Sequence, residues 1–201
     1  MPAGRLEVPD LTQAVTAIIQ VFAAFVGISL TDFFDETKNK LNGDVRFYAF
    51  IAVVALLLRY IIGSAVHLNR AYGTRRGPDG PLLPSMPLFI KDLMFLVAFG
   101  YVAIQMTHSH KFIHFAQQAA WFVALGLLWS ITDRGFRWLF LRATANDAAL
   151  NRLAMIWAGI DGAQLLITGL VVNLLGASLT SAAALAAVYV VIFFVDMVVL
   201  F

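Results

Sequence analysis

Residues 47–67 read FYAFIAVVALLLRYIIGSAVH, and this stretch decides the fold class. It has no proline and one formal charge, Arg59. As a helix rising 1.5 Å per residue, it matches a hydrocarbon core about 30 Å thick. It lacks the apolar–polar alternation of a membrane β-strand. Five further stretches share its character, at 11–31, 88–107, 115–131, 150–175 and 181–201. The expectation is an all-α polytopic integral membrane protein, one domain with six transmembrane helices.

Composition agrees. Of 201 residues, 61% are hydrophobic and 13% charged, against about 25% charged in a soluble domain. So few polar groups cannot cover a water-facing surface, which argues against a soluble enzyme. The net charge of +2 is no nucleic-acid footprint. With no cysteine, disulfides, thiol nucleophiles and cysteine metal sites are excluded.

The first span reads as a retained helix, not a cleaved signal. Arg5 is set against Glu7 and Asp10, and the run ends in Thr31-Asp32-Phe33-Phe34-Asp35-Glu36 without a small-residue cleavage site. Lys and Arg in the short loops give the orientation. Arg5, Arg70, Arg75, Arg76, Lys91, Arg134, Arg137, Arg142 and Arg152 gather on one side, and Lys38, Lys40, Arg46 and Lys111 on the other. Both termini are therefore expected in the cytoplasm, in a bacterial inner membrane. The link 68–87 carries turn residues, and 133–151 reads as an interfacial amphipathic stretch. Ser29-x-Thr31-Asp32 and Ser130-x-Thr132-Asp133 share a pattern at two helix ends, with coincidence favoured over a repeat.

A charge in hydrocarbon costs about 2.5–3.5 kcal/mol, so buried charges mark candidate sites. Arg59 and Asp161 lie at similar depth, and Gln164 shares a helical face with Asp161. They form either a structural bridge or part of an ion path. His67, Asp92, Asp133 and Asp196 lie near the inner ends, as anchors or as an inner mouth. The amides Gln20, Gln105, Gln117, Gln118 and Asn173 read as interhelical hydrogen-bonding groups. His108, His110 and His114 occupy an outer link, and the i, i+4 spacing of the last two makes them weak metal candidates beside a polar-turn reading. Small residues at 181–187 and Gly159, Gly162 and Gly169 predict that the last two spans pack together or meet other copies. No catalytic motif is present and no cofactor is expected, so the chain is read as a non-enzyme.

Ser64-Ala65-Val66-His67-Leu68-Asn69-Arg70, Lys91-Asp92-Leu93-Met94-Phe95-Leu96 and the amide-bearing fourth span from Gln117 to Arg137 add a further hint. Here the chain resembles the bacterial relatives of the endolysosomal potassium channel, small six-helix proteins assembled around a pore. That family opens with Arg-x-x-x-Phe-Ser-Asp, which Gly4-Arg5-Leu6-Glu7-Val8-Pro9-Asp10 does not keep intact. The resemblance implies cation permeation. The functional expectation is a cation channel formed by a homo-oligomer in the lipid bilayer. The alternative is a non-conducting sensor or scaffold that recruits a cytoplasmic protein through Arg70–Arg76 and Arg134–Arg152.

Overall fold

A computed structural model describes residues 9–35, 39–73, 86–140 and 145–200. They form six helices: α1 (Pro9–Phe34), α2 (Gly43–Leu68), α3 (Met86–Thr107), α4 (Phe112–Phe140), α5 (Ala145–Leu175) and α6 (Leu179–Leu200). All six contain stretches long and apolar enough to cross a membrane, and no strand occurs among the described residues. Pro9 and Pro87 sit in first turns, where a missing N–H costs little. A π-helical turn, Asn69–Gly73, prolongs α2. Gly176 ends α5 with φ +64°, a left-handed conformation that glycine adopts without a Cβ clash. Ser178 then opens α6, its hydroxyl accepting the Ser181 N–H at 3.1 Å.

The segment 133–151 differs from expectation. It is mostly helix, because α4 continues to Phe140 and α5 begins at Ala145. Falling hydropathy marks where a helix leaves an apolar layer, not where its hydrogen bonds stop. Arg134, Gly135 and Phe136 simply continue the α4 ladder. Residues 1–8, including most of the opening Arg–Asp segment, lie outside the described residues.

The helices pack in a closed cycle, α1–α3–α4–α5–α6–α2 and back to α1. Aromatic side chains fill its interior. Tyr60 of α2, Phe99 of α3 and Phe122 of α4 have ring centroids 4.9 Å apart in all three pairings. Phe22 of α1 joins Phe99 at 6.4 Å. The periphery is apolar instead, with Val198, Leu174, Leu166 and Met94 strongly exposed. Four large rings inside and aliphatic chains outside suit a bundle solvated by hydrocarbon.

Two packing expectations need correction. The small face of α6 lies mainly along α2, with Ala182 and Ala186 buried. Added Cβ atoms at Gly159, Gly162 and Gly169 would meet nothing within 4 Å, so these glycines create no close approach within the chain. Of the amides, Gln164 is fully buried while Gln20, Gln117 and Asn173 are exposed. A helix has several faces, and the presence of a small or polar residue does not say which one a neighbour covers. The shared Ser-x-Thr-Asp pattern marks no equivalent packing either: α1 packs along α3, and α4 has no comparable contact with α6.

Two glycines allow close approaches: a Cβ at Gly100 would lie 2.7 Å from the Phe25 ring, and Gly126 is tighter still. A Cβ at Gly126 would lie 2.0 Å from the Tyr60 hydroxyl and 2.6 Å from its ring. Gly126→Ala should lower stability by about 1–3 kcal/mol through overpacking. Gly159→Ala should leave stability unchanged or raise it, since alanine is the better helix former. Unfolding of the two variants in detergent micelles would check the contrast.

Candidate functional site

Two buried charge clusters lie in the bundle, and a small cavity opens beside the first of them. The first is centred on Arg59, projected inward from α2. Its Nη2 meets Asp161 of α5 at 2.7 Å. Its Nε donates to Asp196 of α6, and its Nη1 to the Gln164 side-chain oxygen. The Tyr60 hydroxyl donates to the same Asp161 oxygen at 3.0 Å. Arg59, Asp161, Gln164 and Asp196 are all at most 4% exposed.

Charge counting is informative here. One guanidinium faces two carboxylates, so with both acids ionised the cluster carries one net negative charge in a dry interior. A bare buried charge is costly, and a pair broken open costs about 3–5 kcal/mol. Hydrogen bonding is also incomplete. Asp196 Oδ1 and Gln164 Nε2 are buried without a hydrogen-bond partner. A polar chain continues along α5, where the Thr168 hydroxyl bonds back to the Gln164 carbonyl at 2.8 Å and meets the Tyr189 hydroxyl at 3.1 Å.

The second cluster lies where α2 and α4 approach their ends and α3 begins. Lys91 meets Asp133 at 2.6 Å and Asp92 at 2.8 Å. Asp92 also accepts from the Tyr72 hydroxyl at 2.6 Å and from the Trp129 indole N–H at 2.6 Å. His67 Nε2 stands 3.6 Å from Asp92 and 3.7 Å from Asp133, too far for a good hydrogen bond. Its ring is packed between Trp129 at 5.1 Å and Trp157 at 6.1 Å.

The cavity beside the Arg59 cluster is lined by Arg59, Tyr60, Asp161 and Asp196 together with Trp129, Ser130 and Trp157. It leaves about 30 Å³ for the centres of water molecules, enough for one or two and too little for a hydrated metal ion. Trp129 belongs to both environments, since it lines the cavity and donates to Asp92.

The Arg59–Asp161–Gln164 grouping therefore forms as expected. Asp196 does not join Asp92 and His67 at an inner mouth; it belongs to the Arg59 cluster because α6 packs along α2. His67 and Asp92 do come together, with Asp133 and Lys91. At the opposite end His108 pairs with Asp32 at 2.8 Å, and His110 and His114 are exposed. Helix α4 starts at Phe112, so His110 lies before it and the i, i+4 spacing places no two imidazoles on one helical face. Among the described residues the arrangement suited to a metal ion is His67, Asp92 and Asp133. Sequence reasoning missed Tyr60, Trp129, Thr168 and Tyr189, whose only signal is a hydroxyl or indole N–H within an apolar run, and Tyr72, which lies in the polar link after α2.

No known protein family, curated protein or solved structure matches the chain.

The mutual dependence of the first cluster has a measurable consequence. Arg59→Met leaves two buried carboxylates without their cation and should cost about 3–5 kcal/mol. Adding Asp161→Asn and Asp196→Asn to Arg59→Met should recover much of that loss, because the charges then vanish together. Unfolding of the single and triple variants in the same micelle would show whether the three effects are additive; the expected result is strong non-additivity.

Proposed function

We propose that the protein moves a small cation across a membrane and that the ion is a proton, handled by Asp161 and Asp196 around Arg59. The observation that carries this reading is the cluster's charge. Two buried carboxylates share one guanidinium, with an unpartnered Asp196 oxygen beside a cavity of water-molecule size. One added proton would neutralise the group. A proton needs only side chains and single waters as stepping points, whereas a hydrated alkali-metal ion needs an opening that the aromatic filling of Tyr60, Phe99 and Phe122 does not leave.

The path we infer starts at the His67–Asp92–Asp133 end, passes the cavity by Ser130, and reaches Asp196 and Asp161. From there Gln164 and Thr168 of α5 and Tyr189 of α6 continue it between those two helices. The Lys/Arg distribution supports reading the His67 end as the cytoplasmic one, with both chain termini on that side of an inner membrane. Exposed Gln20 and the open glycine face of α5 favour association of several copies in the bilayer. The resemblance to the six-helix potassium channel relatives adds support for cation movement as the activity class.

Purified protein in liposomes, with an internal pH indicator and an imposed membrane potential, tests this. Proton entry should exceed that of empty liposomes. It should fall to the empty-liposome rate in Asp161→Asn and Asp196→Asn, while His110→Ala with His114→Ala leaves it unchanged. Flux of potassium or sodium without protons would replace the proton with a metal cation. No flux of any of these from folded protein would favour the non-conducting sensor or scaffold.

A further inference from the structure

We infer that His67, Asp92 and Asp133 form a binding site for one first-row divalent metal ion, with Lys91 holding the carboxylates when the metal is not there. The site occupies the end at which the proposed proton path begins, but its metal binding rests on geometry alone and does not require that path.

The geometry comes first. Four ligands arranged tetrahedrally about 2.1 Å from a metal lie about 3.4 Å from one another. His67 Nε2 is 3.6 Å from an Asp92 oxygen and 3.7 Å from an Asp133 oxygen, and the three ligand atoms all lie within 4.8 Å of each other. These separations are long for hydrogen bonds and near the spacing of atoms that share a metal.

The second observation is His67 itself. It is 4% exposed, and its Nε2 has no hydrogen-bond partner although it is aimed between two carboxylates. A buried imidazole nitrogen left so is costly. A metal ion would use its lone pair and both neighbouring oxygens together. One nitrogen and two carboxylate oxygens suit zinc, iron or manganese better than calcium or magnesium.

The surroundings fit a metal site as well. The Tyr72 hydroxyl and the Trp129 indole N–H both hold Asp92, and such outer partners fix the direction of a ligand carboxylate. Trp129 and Trp157 flank the imidazole and restrict its rotation.

Lys91 decides how the site would work. Its ammonium contacts both carboxylates at 2.8 and 2.6 Å, the position that a bound cation would compete for. Two carboxylates face this one ammonium, and a divalent ion would match the charge of both. Lys91 also lines an open apolar groove with Ile90, Met94, Phe95, Leu125 and Phe136, and its flexible stem can withdraw along that groove. A divalent ion then exchanges with the lysine, restoring charge and engaging His67.

Binding of zinc, and of cobalt as a spectroscopic probe, to the purified full-length protein tests the inference. One ion per chain is expected, with the visible absorption of nitrogen- and oxygen-ligated cobalt. His67→Ala should weaken binding by about tenfold or more, whereas His110→Ala with His114→Ala should leave it unchanged. Lys91→Gln should tighten binding, because the competing ammonium is gone; this gain of affinity cannot come from misfolding. Asp161→Asn should not alter the affinity, which keeps this result separate from any failure of proton flux. Wild-type protein that takes up no zinc or cobalt, binding that survives His67→Ala, or a Lys91→Gln variant no tighter than wild type would each overturn the site.

Discussion

One guanidinium in an otherwise apolar helix sets the terms for the rest of the bundle. Arg59 sits in a run whose neighbours are Leu58, Tyr60 and Ile61, where an isolated charge is expensive. The fold answers by bringing Asp161 from α5 and Asp196 from α6 onto it. Helices far apart in the chain thereby acquire a shared register, and α2 becomes the helix with the most buried apolar window of the six. Tyr60, the next residue, ties the same carboxylate to the aromatic interior, and Gly126 makes room for it.

This solution overshoots neutrality. Two acids answer one base in the middle of the bundle, and at the His67 end two acids meet one lysine and an imidazole. A purely structural ion pair has no need of a second carboxylate, since each extra buried charge adds a desolvation cost that one partner does not repay. The surplus acid at Arg59, beside a water-sized cavity, is the observation on which the proposed cation handling rests. The exposed faces of α5 and α6 carry no carboxylate among the described residues and are mostly apolar, with Leu166, Leu174, Phe194 and Val198 outermost.

Much of this was legible before any coordinates. Six apolar runs gave six helices, because helix formation and length matching act locally on each segment. Arg59, Asp161 and Gln164 were legible for the same reason that makes them costly, a charge or amide where only hydrocarbon was expected. Asp196 was assigned to the wrong group, since counting along a helix gives depth but not which helices lie side by side. Trp129 and Tyr60 were invisible as polar groups because an aromatic in an apolar run reads as packing until its N–H or O–H is seen to meet a carboxylate. His110 and His114 misled in the opposite sense: their spacing implies a shared face only if both lie on one helix.

The central claim is that the Arg59 cluster, one negative charge in excess, takes up a proton. Infrared spectroscopy of the membrane-embedded protein, following the carbonyl stretch of protonated carboxylic acids, addresses it most directly. The account predicts such a band near neutral pH, insensitive to external salt and lost when either Asp161 or Asp196 is changed to asparagine. A spectrum without any protonated carboxyl over the physiological pH range would contradict it, leaving both acids ionised and the cluster a structural bridge.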